Sequence, residues 1–231
     1  MSEAERSKFI WLTGLLMIVF VVLAFGLASW AQPFRLHRYV KPLVVVHILA
    51  SLGWLVLFFS QSGLVHRGEI EKHRQRLTLA TALVVVSFFS SIVITYQWGN
   101  ASRFVAESRD AMAFAILFAA AIAVAKRGDF EAHKRLMLIA GLNLIHPAHV
   151  RVPNIFDLPP AMSLPLTLTS WIVIPLAYDW VTQRKINKVT LLGMGFTIVS
   201  FIIVVAVVFS PLMPMIETSL YGEGGNFGPS G

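Results

Sequence analysis

Seven long apolar runs, separated only by short connections, restrict this chain to a helical membrane bundle. Their approximate limits are 9–31, 40–62, 77–98, 111–126, 135–150, 162–181 and 190–213. Roughly 20 apolar residues cross the hydrocarbon core as an α-helix. The runs are continuous rather than alternating, which argues against a β-barrel. Composition agrees, with 56% hydrophobic and 13% charged residues, where soluble domains carry about 25% charge. A chain so apolar cannot cover a water-facing surface. The expected fold is all-α, a polytopic bundle of about seven transmembrane helices forming one domain over 1–216. A flexible glycine-rich tail is expected over 217–231. No connection is long enough to build a second core.

The first run resembles a signal peptide, with Arg6 and Lys8 before it and Ser29-Trp30-Ala31 after it. It exceeds the about 7–15 apolar residues of a signal core, so a retained helix is expected. The fourth run is short and alanine-rich. Lys126 and Arg127 are expected to snorkel over the mismatch, and the alanines to pack closely. Pro147 interrupts the fifth run. The N-terminus and the second, fourth and sixth connections hold two, four, four and three basic residues; the others hold three, two and one. The richer side is expected to be cytoplasmic, which puts the N-terminus inside and the C-terminus outside a bacterial inner membrane. The net charge of +7 thus reflects loops facing a lipid bilayer, not nucleic acid binding. Cysteine is absent, which removes disulfides, thiolate metal sites and cysteine nucleophiles.

The histidines carry the chemistry. Residues 47, 51, 54, 58 and 61 share one helix face, His47, Ser51, Trp54, Phe58 and Gln61, the most polar stripe of an otherwise aliphatic span. His73 and His133 both precede apolar runs, in echoing segments Glu71-Lys72-His73-Arg74 and Glu131-Ala132-His133-Lys134. The echo suggests a parallel repeat. Orientation puts His47, His146 and His149 toward the outer side, and His66, His73 and His133 toward the inner. His47 and His73 are therefore expected far apart. Imidazole suits zinc, copper and haem iron, so His47, His73, His133, His146 and His149 are candidate metal ligands. Arg151 is a candidate anion or propionate partner. Ser51 or Asn143 is expected to fix a ligand ring. His37 and His66 are expected to serve the interface. Asp179 is expected as a surface group or local pair with Arg184, and Trp11, Trp30, Trp98, Trp171 and Trp180 as interface anchors. Met213 and Met215 suggest outer copper(I), and Asn100-Ala101-Ser102 a glycosylation acceptor, but a membrane-exit segment and a chance match are the simpler readings. Walker, dinucleotide, HExxH and Gly-x-Ser-x-Gly motifs are absent from the sequence. No run carries an acidic residue near its middle, which argues against a proton-coupled pump.

His47, Gln61, the His73-Arg74 turn and His133-Lys-Arg-Leu-Met137 followed by Arg151 resemble a family of bacterial polytopic membrane proteins of unknown function. The same elements, in a different order, are similar to CtaM-type proteins involved in cytochrome oxidase maturation. The resemblance covers roughly residues 40–152. It departs from the family pattern at Arg76, where a glycine two residues after the arginine would give a tight start to the next helix. The resemblance implies histidine-bound haem b or copper, with His47, His73, His133 and Arg151 as the binding residues. The function implied is respiratory oxidase assembly or membrane electron transfer, with respiratory complex subunits or a second copy as partners. Two other functions fit the residues: a structural or accessory subunit of a larger membrane complex, and a small-solute carrier along the His47–Gln61 stripe. An enzyme acting alone is not indicated.

Overall fold

A computed structural model describes residues 3–222; the side chains of 3–7 and of residue 35 are not described. Continuous apolar sequence becomes helix throughout the described residues. Long helices are α1 (Glu3–Ala31), α3 (Pro42–His66), α5 (Leu77–Gln97), α6 (Ala101–Lys126), α7 (Phe130–Leu144) and α12 (Lys188–Val208). Shorter ones are α2 (Leu36–Tyr39), α4 (Ile70–Gln75), α8 (His146–His149), α9 (Val152–Ile155), α10 (Ser163–Leu168), α11 (Ile174–Gln183) and α13 (Leu212–Tyr221). A π-helical turn, Thr169–Val173, joins α10 to α11. Residues 223–231, most of the tail expected to be flexible, lie outside the described residues, and α13 carries the chain to Tyr221.

Six segments are long and apolar enough to cross a membrane: Lys8–Ala31, Pro42–His66, Ile70–Gln97, Ala101–Lys126, Pro160–Gln183 and Lys188–Val208. Leu49, Phe89, Leu192 and Ile203 stand exposed on their outer faces, as lipid-facing side chains must. The seventh passage, α7–α9, is broken at Ile145 and Val150-Arg151. It still runs the depth of the bundle beside α1. Phe9 packs on Tyr178, whose ring lies under Arg135. Gly141 meets Met17, His149 meets Phe20, and Arg151 covers Phe25. Phe9 to Phe25 and Arg135 to Arg151 are equal lengths of chain, about 24 Å of helix rise. The interrupted run is also the core, since Leu138, Ile139, Ala140, Leu142 and Asn143 are all buried.

Small residues allow this packing. A Cβ on Gly193 of α12 would sit 2.7 Å from Ile139 Cδ1, so α12 approaches α7 closely because that side chain is missing. Ala113 and Ala121 of α6 are buried against the same core. Caps fix where the helices begin. Asn100 Oδ1 accepts the Arg103 N–H at 2.7 Å, Asp129 Oδ1 the Ala132 N–H at 2.9 Å, and Asn187 Oδ1 the Val189 N–H at 2.9 Å. The Asn100 cap corrects one expectation. The fourth crossing starts at Ala101 rather than 111, so it is not short and needs no snorkelling at Lys126. Arg109 and Asp110 fall inside it. The expectation that no span holds an internal acid fails at Asp110.

Candidate functional site

The two echoing segments fold into equivalent turns. Gly68 and Gly128 take positive φ, 75° and 84°, which glycine adopts without strain. Glu69 N–H bonds the Leu64 carbonyl, and Asp129 N–H bonds that of Val124. His73 N–H bonds Glu69, and His133 N–H bonds Asp129. The echo therefore extends back to Arg67-Gly68-Glu69 and Arg127-Gly128-Asp129, sixty positions apart. At the same offset Trp54 and Phe114, both fully buried, meet edge to face at 4.8 Å. Helices α3–α5 and α6–α7 thus form two like hairpins facing each other.

The like turns bring two like histidines together. The rings of His73 and His133 lie 6.2 Å apart between centroids and nearly perpendicular, at 84°. His133 Nδ1–H donates to the Ala121 carbonyl at 2.9 Å, which leaves Nε2 with its lone pair free for a ligand. His73 Nδ1 is buried and has no hydrogen-bond partner among the described residues. Gln61 Nε2 donates to the His73 carbonyl at 3.1 Å, tying α4 to the end of α3. Arg76 donates to Ser60 Oγ at 3.1 Å. Its φ of −88° needs no glycine, so the departure from the family pattern costs the helix start nothing. In the first of the two turns, hydrogen bonds from Arg67 and Lys72 draw the Glu69 carboxyl from 4.5 down to about 2.

His47 lies elsewhere. Its Nδ1–H donates to the Ser87 carbonyl at 3.2 Å and to Ser90 Oγ at 3.0 Å. Those residues are 14 and 17 positions beyond His73, about 20 Å along the helix. Ser51 bonds Ser87 Oγ at 2.7 Å rather than an imidazole. The polar groups of the α3 stripe are thus taken up by neighbours, His47 and Ser51 by α5 and Gln61 by α4, while Trp54 packs on α6. Arg151 donates to the Pro147 carbonyl at 2.6 Å and covers Phe25. It stands at the opposite end of α7–α9 from His133.

Near that opposite end lies a second polar cluster. Arg109 and Asp110 are buried in α6 and joined at 2.7 Å. Asp110 Oδ2 accepts from His146 Nδ1 at 2.6 Å. Arg109 also donates to Ser200 Oγ at 2.9 Å and to the Thr197 carbonyl. Asn143 Nδ2 donates to Thr197 Oγ1 at 3.0 Å, not to a histidine. His146 packs on Trp171 at 4.9 Å, and His149 Nε2 bonds Ser170 Oγ at 2.9 Å. Trp171 is fully buried rather than an interface anchor; the π-helical turn directs both Ser170 and Trp171 inward. The rings of His146 and His149 are 6.1 Å apart; Asp110 bonds the first and Ser170 the second, while His149 Nδ1, like His73 Nδ1, is buried without a hydrogen-bond partner among the described residues.

A third cluster closes the basic end. Asp179 is fully buried and bonds Arg135 Nε at 2.8 Å and the Asn187 N–H at 2.7 Å. Arg135 also bonds Glu131 Oε2 at 2.8 Å, and Gln183 bonds the same oxygen at 3.2 Å. Asp179 is thus an internal anchor, not a surface group paired with Arg184. Met213 is buried and Met215 exposed, so they do not face one ion.

Among the described residues no group of three or more His, Asp or Glu is arranged to hold a metal ion. Two-histidine meetings occur at His73–His133 and at His146–His149, and of these only the first has no acid bonded to a ring. Arg109 and Asp110 escaped sequence reasoning because Arg103, Glu107, Arg109 and Asp110 look like a loop. Starting the helix at the Asn100 cap would have placed them inside a span. Taken together, these features define a multi-pass helical membrane protein with three polar clusters inside the bundle. No protein family, curated protein or solved structure matches the chain.

Proposed function

We propose that this protein holds a transition-metal centre, haem iron or copper, between His73 and His133. In this reading it serves respiratory electron transfer or oxidase assembly in a bacterial inner membrane. The observation that carries the reading is the 6.2 Å between the two ring centroids. With metal–nitrogen bonds of about 2 Å, two imidazoles in line across one metal put their centroids about 6 Å apart; tetrahedral ligation gives about 5 Å. The spacing is in the range for two imidazoles sharing one metal, which His73 and His133 would hold.

Three features support it. The lone pair left on His133 is fixed by the Ala121 carbonyl, the kind of hydrogen bond that orients ligating histidines. The buried His73 Nδ1 without a partner is costly unless something takes it up. The pair sits where two like turns meet, so each hairpin contributes one ligand. Arg74, Arg76 and Lys134 flank the pair in sequence and suit the anionic edge of a haem. When bound, the metal would supply one-electron chemistry. The chain's part is to hold both imidazoles neutral and fixed, and to bring them to the basic end of the bundle, the cytoplasmic side by its charge.

The test is the absorption spectrum of the purified protein, oxidised and reduced, with elemental analysis. A Soret band that moves on reduction identifies haem. Copper near one per chain without that band identifies copper. Protein with neither overturns the proposal.

A further inference from the structure

The cluster around Asp110 borders a cavity of about 150 Å³ between α6, α8 and α12. Its polar end is Arg109, Asp110 and His146, and its walls include Ala106, Val205 and Phe209. Val205 and Phe209 are exposed on the outer face of the bundle, so the cavity adjoins the lipid-facing surface. An apolar cavity of about 150 Å³ accommodates one benzene-sized ring.

Charge fixes what the polar end offers. Asp110 is an acceptor only, so the 2.6 Å bond places the proton on His146 Nδ1. Arg109 and Asp110 already balance each other. With Nδ1–H bonded to Asp110, Nε2 is the ring nitrogen left to accept a hydrogen bond. Trp171 at 4.9 Å and Phe201 at 6.0 Å hold the ring in place. Arg109 is occupied by Asp110, Ser200 and Thr197, so the site offers no free cation to an anionic ligand. What it recognises is an apolar ring bearing a hydrogen-bond donor.

We propose that this cavity binds a hydroxylated aromatic ring dissolved in the bilayer, a hydroquinone or tailed phenol. One ring hydroxyl donates to His146 Nε2, and the apolar tail leaves past Val205 and Phe209 into lipid. Asp110 is a positioning residue that fixes the tautomer. The inference does not rest on the metal centre at the other end.

Isothermal titration of the full chain in detergent, under nitrogen without added reductant, tests it with three probes. Decylubiquinol has the donor, decylubiquinone has only acceptors, and decylbenzene has neither. Decylubiquinol should bind at least about tenfold more tightly than the other two, since a site built for a hydroxyl rejects analogues without it. His146→Leu should erase that preference. Val205→Trp, which fills the mouth without touching the polar end, should weaken all three probes. Equal or tighter binding of decylubiquinone overturns the proposal, as does a preference that survives His146→Leu in protein of unchanged helicity. Should His146→Leu not fold, Val205→Trp still decides, because unaltered binding in that variant places the ligand elsewhere and overturns the proposal.

Discussion

The two ends of the bundle hold histidine pairs at almost the same spacing but in opposite chemical company. His73 and His133, rings 6.2 Å apart, come from like turns, and no carboxylate bonds either ring among the described residues. His146 and His149, rings 6.1 Å apart, are bonded on one nitrogen each by Asp110 and Ser170; His149 Nδ1 is buried without a partner among the described residues, as His73 Nδ1 is, so the acid on His146 is what sets the two pairs apart. Spacing alone does not make a ligand pair. A ring nitrogen whose lone pair has no protein partner is available to a metal. A ring whose nitrogen is already held by an acid is set up to give or take a hydrogen bond. The basic end also carries its ion network separately, in Arg135, Asp179 and Glu131. The other end has placed its ion pair against its histidine.

The largest expected effect breaks the basic end. Arg135→Met leaves the Asp179 carboxylate buried without its partner and should cost about 3–5 kcal/mol, read as a fall in melting temperature in detergent. It should also loosen the start of α7 and weaken retention of any metal at His133. Asp110→Asn at the other end strands the buried Arg109 guanidinium in the same way and should cost a similar about 3–5 kcal/mol. Metal content should not change in that variant; a drop would mean the two ends are not separate sites.

Gly193→Ala acts on the middle, where α12 meets α7. It should cost about 1–3 kcal/mol from overpacking against Ile139. Gly195→Ala, with open space around it, should leave the melting temperature unchanged. The smallest effect compares the two like turns. Glu69 has its carboxyl drawn down to about 2 by Arg67 and Lys72. Its contribution is therefore full above the ordinary value of 4.5 and is lost as pH falls through about 2. The protection factors of the Gly68 and Glu69 amides, corrected for the intrinsic pH dependence of exchange, should stay constant until the pH nears that lower value. Loosening of the turn already around the ordinary value would show that these pairs do not hold it.

The bundle was largely legible, because long apolar runs leave the backbone no alternative to helix in lipid. The echo around His73 and His133 was also visible, although its extension to Gly68 and Gly128 emerges only when both backbones turn the same way. The second polar site was not legible. Arg109 and Asp110 sit among four charges within eight residues, and hydropathy reads such a stretch as loop. Only the partners supplied by α8 and α12, distant in sequence, make those charges tolerable inside the bundle. Trp171 misled for a different reason: it lies in the middle of the 162–181 run, too deep for an interface anchor, and the π-helical turn that points it inward leaves no mark on hydrophobic periodicity. His47 drew attention as a mid-span histidine, yet Ser87 and Ser90 forty residues on give it an ordinary structural bond.

The most direct measurement is the metal content per chain of purified wild-type protein beside His73→Leu, His133→Leu and His47→Leu, each checked for helicity. Wild-type and His47→Leu protein should carry the same content, and both other variants should be empty. Metal retained in His133→Leu, or lost only in His47→Leu, would contradict a centre held between the two like turns.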